Sequence, residues 1–326
     1  MRSWILVAGS AAGLAGCAGS QSALDPAGED AERIAALFWW MVAGGAIVWI
    51  AVACLTVYSL RRPVGTMPER RARLYIIGGG AIVPTVVLGG LLIYGLAMLP
   101  DLLAPAPEGS LKIKVVGEQW WWRVTYQLPQ GGETELANEI RIPVGEPVSF
   151  ELESQDVIHS FWIPALGGKM DMIPGRSTRL VLRPTRTGVF RGVCAEYCGV
   201  AHALMALYVV VTEKEEFTDW LDQQSEPAAE PNEPLAAEGR DLFFANGCSA
   251  CHAIGGTTAD GVVGPNLTHV GSRISLGAGT VPNEPGAFMR WIEQTDKIKP
   301  GVHMPHFRML PPAELGALEA YLDSLK

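Results

Sequence analysis

Cys194-Ala-Glu-Tyr-Cys198-Gly-Val-Ala-His202-Ala-Leu-Met205 gathers two thiols, an imidazole and a thioether within twelve residues. A spacing of four is wider than the C-x-x-C of zinc knuckles and redox pairs. Thiolate, imidazole and thioether together suit copper better than magnesium or calcium. Thiolates exposed in an oxidising compartment are lost to oxidation unless bound, and two on one loop can bridge two metal ions. An electron delocalised over two coppers changes each bond only slightly, so little reorganisation opposes its transfer. His202 and Met205 are placed to ligate from the same loop. A second imidazole must come from elsewhere. His159, in Asp156-Val-Ile-His159-Ser-Phe-Trp, follows a predicted strand and is the remaining histidine of that part of the chain.

A second constellation lies at Cys248-Ser-Ala-Cys251-His252. This spacing is that of covalent c-type haem attachment. The two thiols can form thioethers to haem vinyl groups, and His252 can supply the proximal nitrogen. The sixth ligand must come from downstream. Met304 is preferred, because a thioether raises the potential; Met309, His303 and His306 are its rivals. Tyr321 and Leu322 read as core packing, and no role falls on His269. A copper loop and a haem loop on one chain point to electron transfer.

Composition limits the setting. The 326 residues have room for two or three domains. Only 18% of residues are charged and mean hydropathy is +0.19, so part of the chain is expected in lipid. A net charge of -9 argues against nucleic acid as a partner. Leu37 to Leu60 and Leu74 to Leu99 are uncharged runs long enough to span a bilayer. The loop between them, Arg61 to Arg73, carries five arginines and one glutamate. The excess of positive charge places it on the cytoplasmic side and both ends of the hairpin outside. Cys54, within the first run, reads as a small buried hydrophobe. Residues 1–16 read as a signal peptide, 17–36 as a polar N-terminal segment and 37–99 as the membrane hairpin.

After Pro100 the pattern changes to short runs rich in Val, Ile, Trp and Tyr. Leu111–Val116, Trp121–Tyr126, Glu139–Ile142, Val148–Leu152, Thr178–Leu182, Gly188–Val193 and Leu204–Val211 read as strands of an all-β sandwich or barrel over 108–222. Trp121 and Trp122 read as core aromatics of one strand. Glu213 to Gln224 reads as a short helix. Residues 223–235, rich in Pro, Glu and Ala, read as a linker. From 236 to 326 the pattern is helical, at Ala236–Asn246, Pro285–Thr295 and Pro312–Leu325. A glycine-rich irregular segment between the first two of these helices is what a chain wrapped round a cofactor requires.

With these residues in view, Cys194–Met205, His159 and Gln119-Trp120-Trp121-Trp122 resemble subunit II of haem–copper oxidases with a dinuclear copper A centre. The fused haem domain makes the likeness one to the caa3 type of cytochrome c oxidase. The resemblance implies a two-helix membrane hairpin, a cupredoxin-like Greek-key barrel and an all-α class I cytochrome c domain. It implies copper ligands at His159, Cys194, Cys198, His202, Met205 and the carbonyl of Glu196, with the Glu196 carboxylate turned to a magnesium ion shared with subunit I. Trp120 matches the family's exposed tryptophan where electrons from cytochrome c enter. Cys248, Cys251, His252 and Met304 would hold haem c, with Gly264-Pro265-Asn266-Leu267 lining it. Leu14-Ala15-Gly16-Cys17 resembles a bacterial lipobox, which implies cleavage before Cys17 and lipidation of its sulfur.

The function so implied is electron entry into an oxidase: from a donor through haem and copper to subunit I, where dioxygen is reduced and protons are translocated. Expected partners are subunit I and the other oxidase subunits, cytochrome c or another periplasmic donor, and membrane lipid. The expected location is the bacterial plasma (inner) membrane, with copper and haem domains on its periplasmic face. Leu74–Val83 departs from the family, because no acid stands where many members have a glutamate feeding a proton channel; Glu69 sits too early. A membrane nitric oxide reductase with a copper A subunit is the alternative. Nitrous oxide reductase lacks the hairpin, a copper chaperone would show βαβ patterning, and a quinol oxidase subunit would lack the copper cysteines.

Overall fold

The computed structural model describes residues 18–63, 67–128 and 131–326. Cys17 and the leader before it lie outside the described residues. Two compact units are present, one of residues 33–105 and one of 1–32 with 106–326.

The first unit is a helical pair. Helix α1 (Glu29–Leu60) and helix α2 (Glu69–Leu102) each have the length and apolar composition to cross a bilayer. The polar segment expected to run to residue 36 ends earlier, because α1 begins at Glu29. Acidic Glu29, Asp30 and Glu32 occupy its first turn, where carboxylates favour the positive end of the helix dipole, while Ala31 and Ala35 are buried. Within α2 the stretch Leu74–Ile82 is π-helical and contains Gly78-Gly79-Gly80. Pro84 then opens the following α-helical stretch, Val83–Leu102, at a position where a missing N–H is tolerated. Cys54 is exposed on the protein surface of α1 rather than packed in a core.

The second unit starts with the segment before α1, which is pinned to the β domain. Ala27 N–H donates to Ala165 O (2.7 Å) and Glu29 N–H to Arg183 O (3.0 Å), while Ala27 O accepts from Thr185 N–H (2.8 Å). The β domain is a pair of five-stranded sheets. One has β1 (Leu111–Glu118), β2 (Trp121–Gln127), β3 (Glu133–Ala137), β5 (Val148–Ser154) and β8 (Thr178–Leu182), in the order β3-β2-β1-β5-β8. The other has β4 (Glu139–Pro143), β6 (His159–Trp162), β7 (Met170–Met172), β9 (Gly188–Cys194) and β10 (Ala206–Thr212), in the order β4-β10-β9-β6-β7. Burial alternates along β1 and β2, as the period of two requires. Ile113, Val115, Trp122, Val124, Phe150, Leu152 and Phe161 fill the space between the sheets.

Three strands, β3, β6 and β7, were not legible in the sequence. Glu133–Ala137 opens on three consecutive polar residues and β7 has three residues in all, so neither shows an apolar run. The chain passes from β3 to β4, and so between sheets, at Asn138, whose φ is 62°. Asparagine tolerates that left-handed conformation, and here its Oδ1 accepts from Trp122 N–H (2.8 Å). Helix α3 (Lys214–Ser225) follows β10 and buries Phe217, Trp220 and Leu221.

The C-terminal domain belongs to the same compact unit. Helices α4 (Pro234–Ala245) and α6 (Pro312–Ser324) pack on each other, and α5 (Ala287–Ile298) completes the domain. Gly239 allows the close crossing of α4 and α6, since a Cβ there would collide with the Ala317 carbonyl. Phe243 and Tyr321 meet edge to face at 5.8 Å, which confirms Tyr321 as core. The expected all-helical pattern needs one small addition: Ser275–Leu276 and Val281–Pro282 form a short antiparallel pair, β11 and β12, in the segment before α5.

Candidate metal centre and haem site

Strand pairing brings the copper-type residues together. Cys194 ends β9 opposite Phe161 of β6, so β9 delivers the thiol beside His159 at the start of β6. Ala206 of β10 pairs with Val193, and Cys194 N–H donates to Met205 O (2.9 Å). The loop 195–205 must therefore leave β9 and return to β10 at the same end of the sheet. His202 and Leu204 close it, donating backbone N–H groups to Gly199 O (3.1 Å) and Ala201 O (2.9 Å). Gly199 has φ +117°, and a Cβ there would lie 3.0 Å from both Gln119 Nε2 and Trp120 Cζ2. Only glycine satisfies both the backbone and the space.

Six donor atoms converge. Cys194 Sγ and Cys198 Sγ are 3.8 Å apart. His159 Nδ1 lies 3.8 Å from Cys194 Sγ, and His202 Nδ1 lies 3.5 Å from Cys198 Sγ. Met205 Sδ is 3.8 Å from Cys198 Sγ, and the Glu196 carbonyl oxygen is 3.2 Å from Cys194 Sγ. The ligand atoms of His159, Cys194 and Cys198 all lie within 4.8 Å of one another, and all three residues are buried. Two thiolates, two imidazoles, a thioether and a carbonyl form a soft set that fits copper.

The electrostatics agree with a site built for cations. The hydrogen bond with Cys198 holds Cys194 down to about 4, and the same bond pushes Cys198 up, so the pair keeps one proton and one negative charge. Burial pulls His159 down, but its hydrogen bonds with Cys194 and Asp156 outweigh that and hold it above the ordinary range. Metal binding would displace these protons.

Sequence reasoning named the six donors but missed what orients them. Asp156 Oδ1 lies 2.8 Å from His159 Nε2. It fixes the ring so that Nδ1 faces the thiols, the usual work of a carboxylate behind a metal-bound imidazole. The Asp-x-x-His spacing was the available signal. Gly117 lets the ring approach β1, since a Cβ there would lie 2.8 Å from His159 Cδ2. Gln119 Nε2 and Trp120 Nε1 both donate to Cys198 O, at 2.7 and 3.0 Å. The Glu196 side chain is exposed.

Trp120 differs from expectation. It is only 6% exposed, because Gly301 and His303 of the C-terminal domain lie against it; the Trp120 and His303 rings are 5.8 Å apart. Trp122 is fully buried, whereas Trp121 is half-exposed beneath the Arg123 guanidinium, 4.7 Å from its ring.

In the C-terminal domain, His252 Nδ1 donates to Pro265 O (2.8 Å), which leaves Nε2 as the free lone pair. Burial lowers the pKa of His252, favouring the neutral, ligating form. A Cβ at Gly264 would lie 2.5 Å from His252 Cε1, so the Gly264–Leu267 loop can only lie this close with glycine there. Burial pushes Cys248 up to about 11, while Cys251 is exposed. Met304 is half-buried against the domain core; Met309 is 70% exposed. His303 stacks on Trp120, and the buried Nδ1 of His306 has no partner among the described residues. His269 Nε2–H donates to Glu226 O (3.0 Å), a structural contact. Paired thiols, a neutral histidine and a half-buried methionine fit haem c.

A β domain with a clustered thiolate site and a helical domain with a haem-attachment motif define a membrane-anchored electron-transfer subunit. Residues 127–212 match the model for "Cytochrome C oxidase subunit II, periplasmic domain", and residues 236–326 match that for "Cytochrome c". Cytochrome c oxidase subunit 2 of Alkalihalophilus pseudofirmus is 37% identical over 332 residues, covering 96% of this chain and 94% of the relative. The Bacillus subtilis subunit 2 is 33% identical over 229 residues, covering 67% of this chain and 63% of its own length. The crystal structure of the periplasmic domain of subunit II from Bradyrhizobium japonicum is 34% identical, covers 37% of this chain and 96% of its own, and has a TM-score of 0.35. The chain belongs to the cytochrome c oxidase subunit 2 family, in the form that carries a C-terminal cytochrome c domain.

Proposed function

We propose that this chain is the electron-entry subunit of a respiratory cytochrome c oxidase, relaying electrons from a donor through haem c and dinuclear copper A to subunit I. Dioxygen reduction and proton translocation then take place in subunit I, outside this chain. The convergence of six soft donors around two thiols 3.8 Å apart is the observation that carries this reading.

Each residue has a task in it. Cys194, Cys198, His159, His202, Met205 and the Glu196 carbonyl would hold the copper pair. A copper pair supplies one-electron transfer with little rearrangement. The Glu196 carboxylate contributes to a magnesium site with subunit I. Cys248 and Cys251 would anchor the haem, and His252 and Met304 would hold its iron. Trp120, between His303 and the Cys198 carbonyl, is the contact through which electrons pass between the domains. A lipid on Cys17 and the hairpin at 37–99 anchor the chain in the bacterial plasma membrane, with 108–222 and 236–326 on the periplasmic side and 223–235 linking them. Leu74–Val83 holds no acid, so this segment offers no carboxylate for proton entry.

Metal analysis of the purified full-length chain tests the reading. Two coppers and one iron per chain are expected; one copper, or zinc in its place, would overturn it.

A further inference from the structure

The β domain and the cytochrome domain are joined by more than the linker. Ala206 N–H donates to Ala278 O (3.0 Å). Ile274 N–H donates to the buried Glu139 Oε2 (2.8 Å), and Arg123 Nη2 to Val262 O (2.8 Å). At the centre of this contact is Lys299, just after α5. It is 1% exposed, a burial that lysines almost never reach without strong partners. Its Nζ donates to Trp120 O (2.7 Å) in one domain and to Gly277 O (2.8 Å) in the other. Both acceptors are neutral carbonyls, and burial pushes Lys299 down to about 7. Two residues on, Gly301 (φ +86°) lies so close to Trp120 that a Cβ would sit 3.2 Å from Trp120 Cη2.

The amine belongs to neither metal site, although Trp120 also donates to the Cys198 carbonyl (3.0 Å). Lys299 has no copper-type or haem-type role, yet the fold keeps a costly buried amine where a backbone carbonyl of each domain faces it. An apolar residue of the same length would leave the buried Trp120 carbonyl without its lysine donor, and Gly277 O with only the bond from Thr280 Oγ1 (2.7 Å). We propose that Lys299 is a positioning residue that fastens the cytochrome domain over Trp120, closing that face to any soluble electron donor. The fastening stands on geometry alone; the exclusion of a soluble donor rests on the relay reading given above.

The test uses the full chain in its oxidase complex with both metals loaded. Lys299→Met removes the donors and keeps an unbranched side chain of similar length. Hydroxyl-radical labelling of Trp120 is expected to rise at least tenfold, and hydrogen exchange at the Ala206 and Ile274 amides to rise by a similar factor. The copper and haem absorption spectra should not change. Lys299→Arg, which keeps a cationic donor, should restore most of the protection; a merely space-filling role would make arginine no better than methionine. Gly301→Ala opens the same contact from the other side and should raise Trp120 labelling even if Lys299→Met fails to accumulate. Unchanged Trp120 labelling and amide exchange in Lys299→Met, or in Gly301→Ala should the first not fold, would overturn the fastening role. Raised labelling with an unaltered haem-to-copper rate would uphold the fastening and count against Trp120 as the electron contact.

Discussion

Replacing Cys194 with serine is expected to abolish the dinuclear centre. A serine hydroxyl stays protonated at neutral pH and is a hard oxygen, so it cannot act as a bridging thiolate. Cys194 is also the atom to which the other donors refer: Cys198 Sγ at 3.8 Å, His159 Nδ1 at 3.8 Å and the Glu196 carbonyl at 3.2 Å. Removing its charge also removes the group that, with Asp156, holds His159 above its usual pKa. The copper-to-iron ratio of the purified chain should fall from two to one or less, and the visible thiolate-to-copper absorption should be lost. Haem content should not change, since Cys248, Cys251 and His252 belong to the C-terminal domain, which has its own hydrophobic core. Retention of two coppers in Cys194→Ser would show that the cluster is not the metal site.

Met304→Ala carries the second large effect. Met304 sits half-buried against the domain core, and its carbonyl accepts from Thr295 Oγ1 (3.1 Å), which fixes the segment at α5. Met309 is largely exposed and has no such setting. Loss of the thioether should leave the haem covalently attached through Cys248 and Cys251. Axial ligands set haem potentials over a range of about 0.8 V, and the variant is expected to fall by more than about 0.1 V in a redox titration. Carbon monoxide should then shift the haem spectrum of the variant and not that of the parent chain. The same changes in Met309→Ala, with Met304→Ala silent, would transfer the role to Met309.

Much of the site was legible because its chemistry is written in residue types that have few other reasons to cluster. Two thiols, a histidine and a methionine within twelve residues identify a soft-metal loop before any fold is known. His159 could be named only because the loop lacked an imidazole, and its delivery by β6 was invisible: Ile158-His159-Ser160-Phe161-Trp162 is too short to show a period. The groups that orient the ligands were harder still. Asp156 and Gln119 look like ordinary turn residues, and Gly117 and Gly199 matter only because a ring or a side chain lies against them. Strands β1, β2, β5 and β9 alternate in burial and were readable; β3 and β7 were not. The covering of Trp120 by the C-terminal domain depends on contacts between residues far apart in sequence, such as Lys299 with the Trp120 carbonyl, 179 positions away. No local pattern encodes that. A linker rich in Pro, Glu and Ala suggested a loose tether, whereas the domains share one compact unit.

The central claim is that electrons pass within one chain from the haem to the copper pair. Flash reduction of the haem in the full-length oxidase, followed by the appearance of reduced copper, tests it most directly. The account predicts a single first-order rate that does not change over a tenfold range of protein concentration and changes little with ionic strength, because the encounter is intramolecular. A rate that rises in proportion to protein concentration would show that the domains exchange electrons between molecules, and would contradict it.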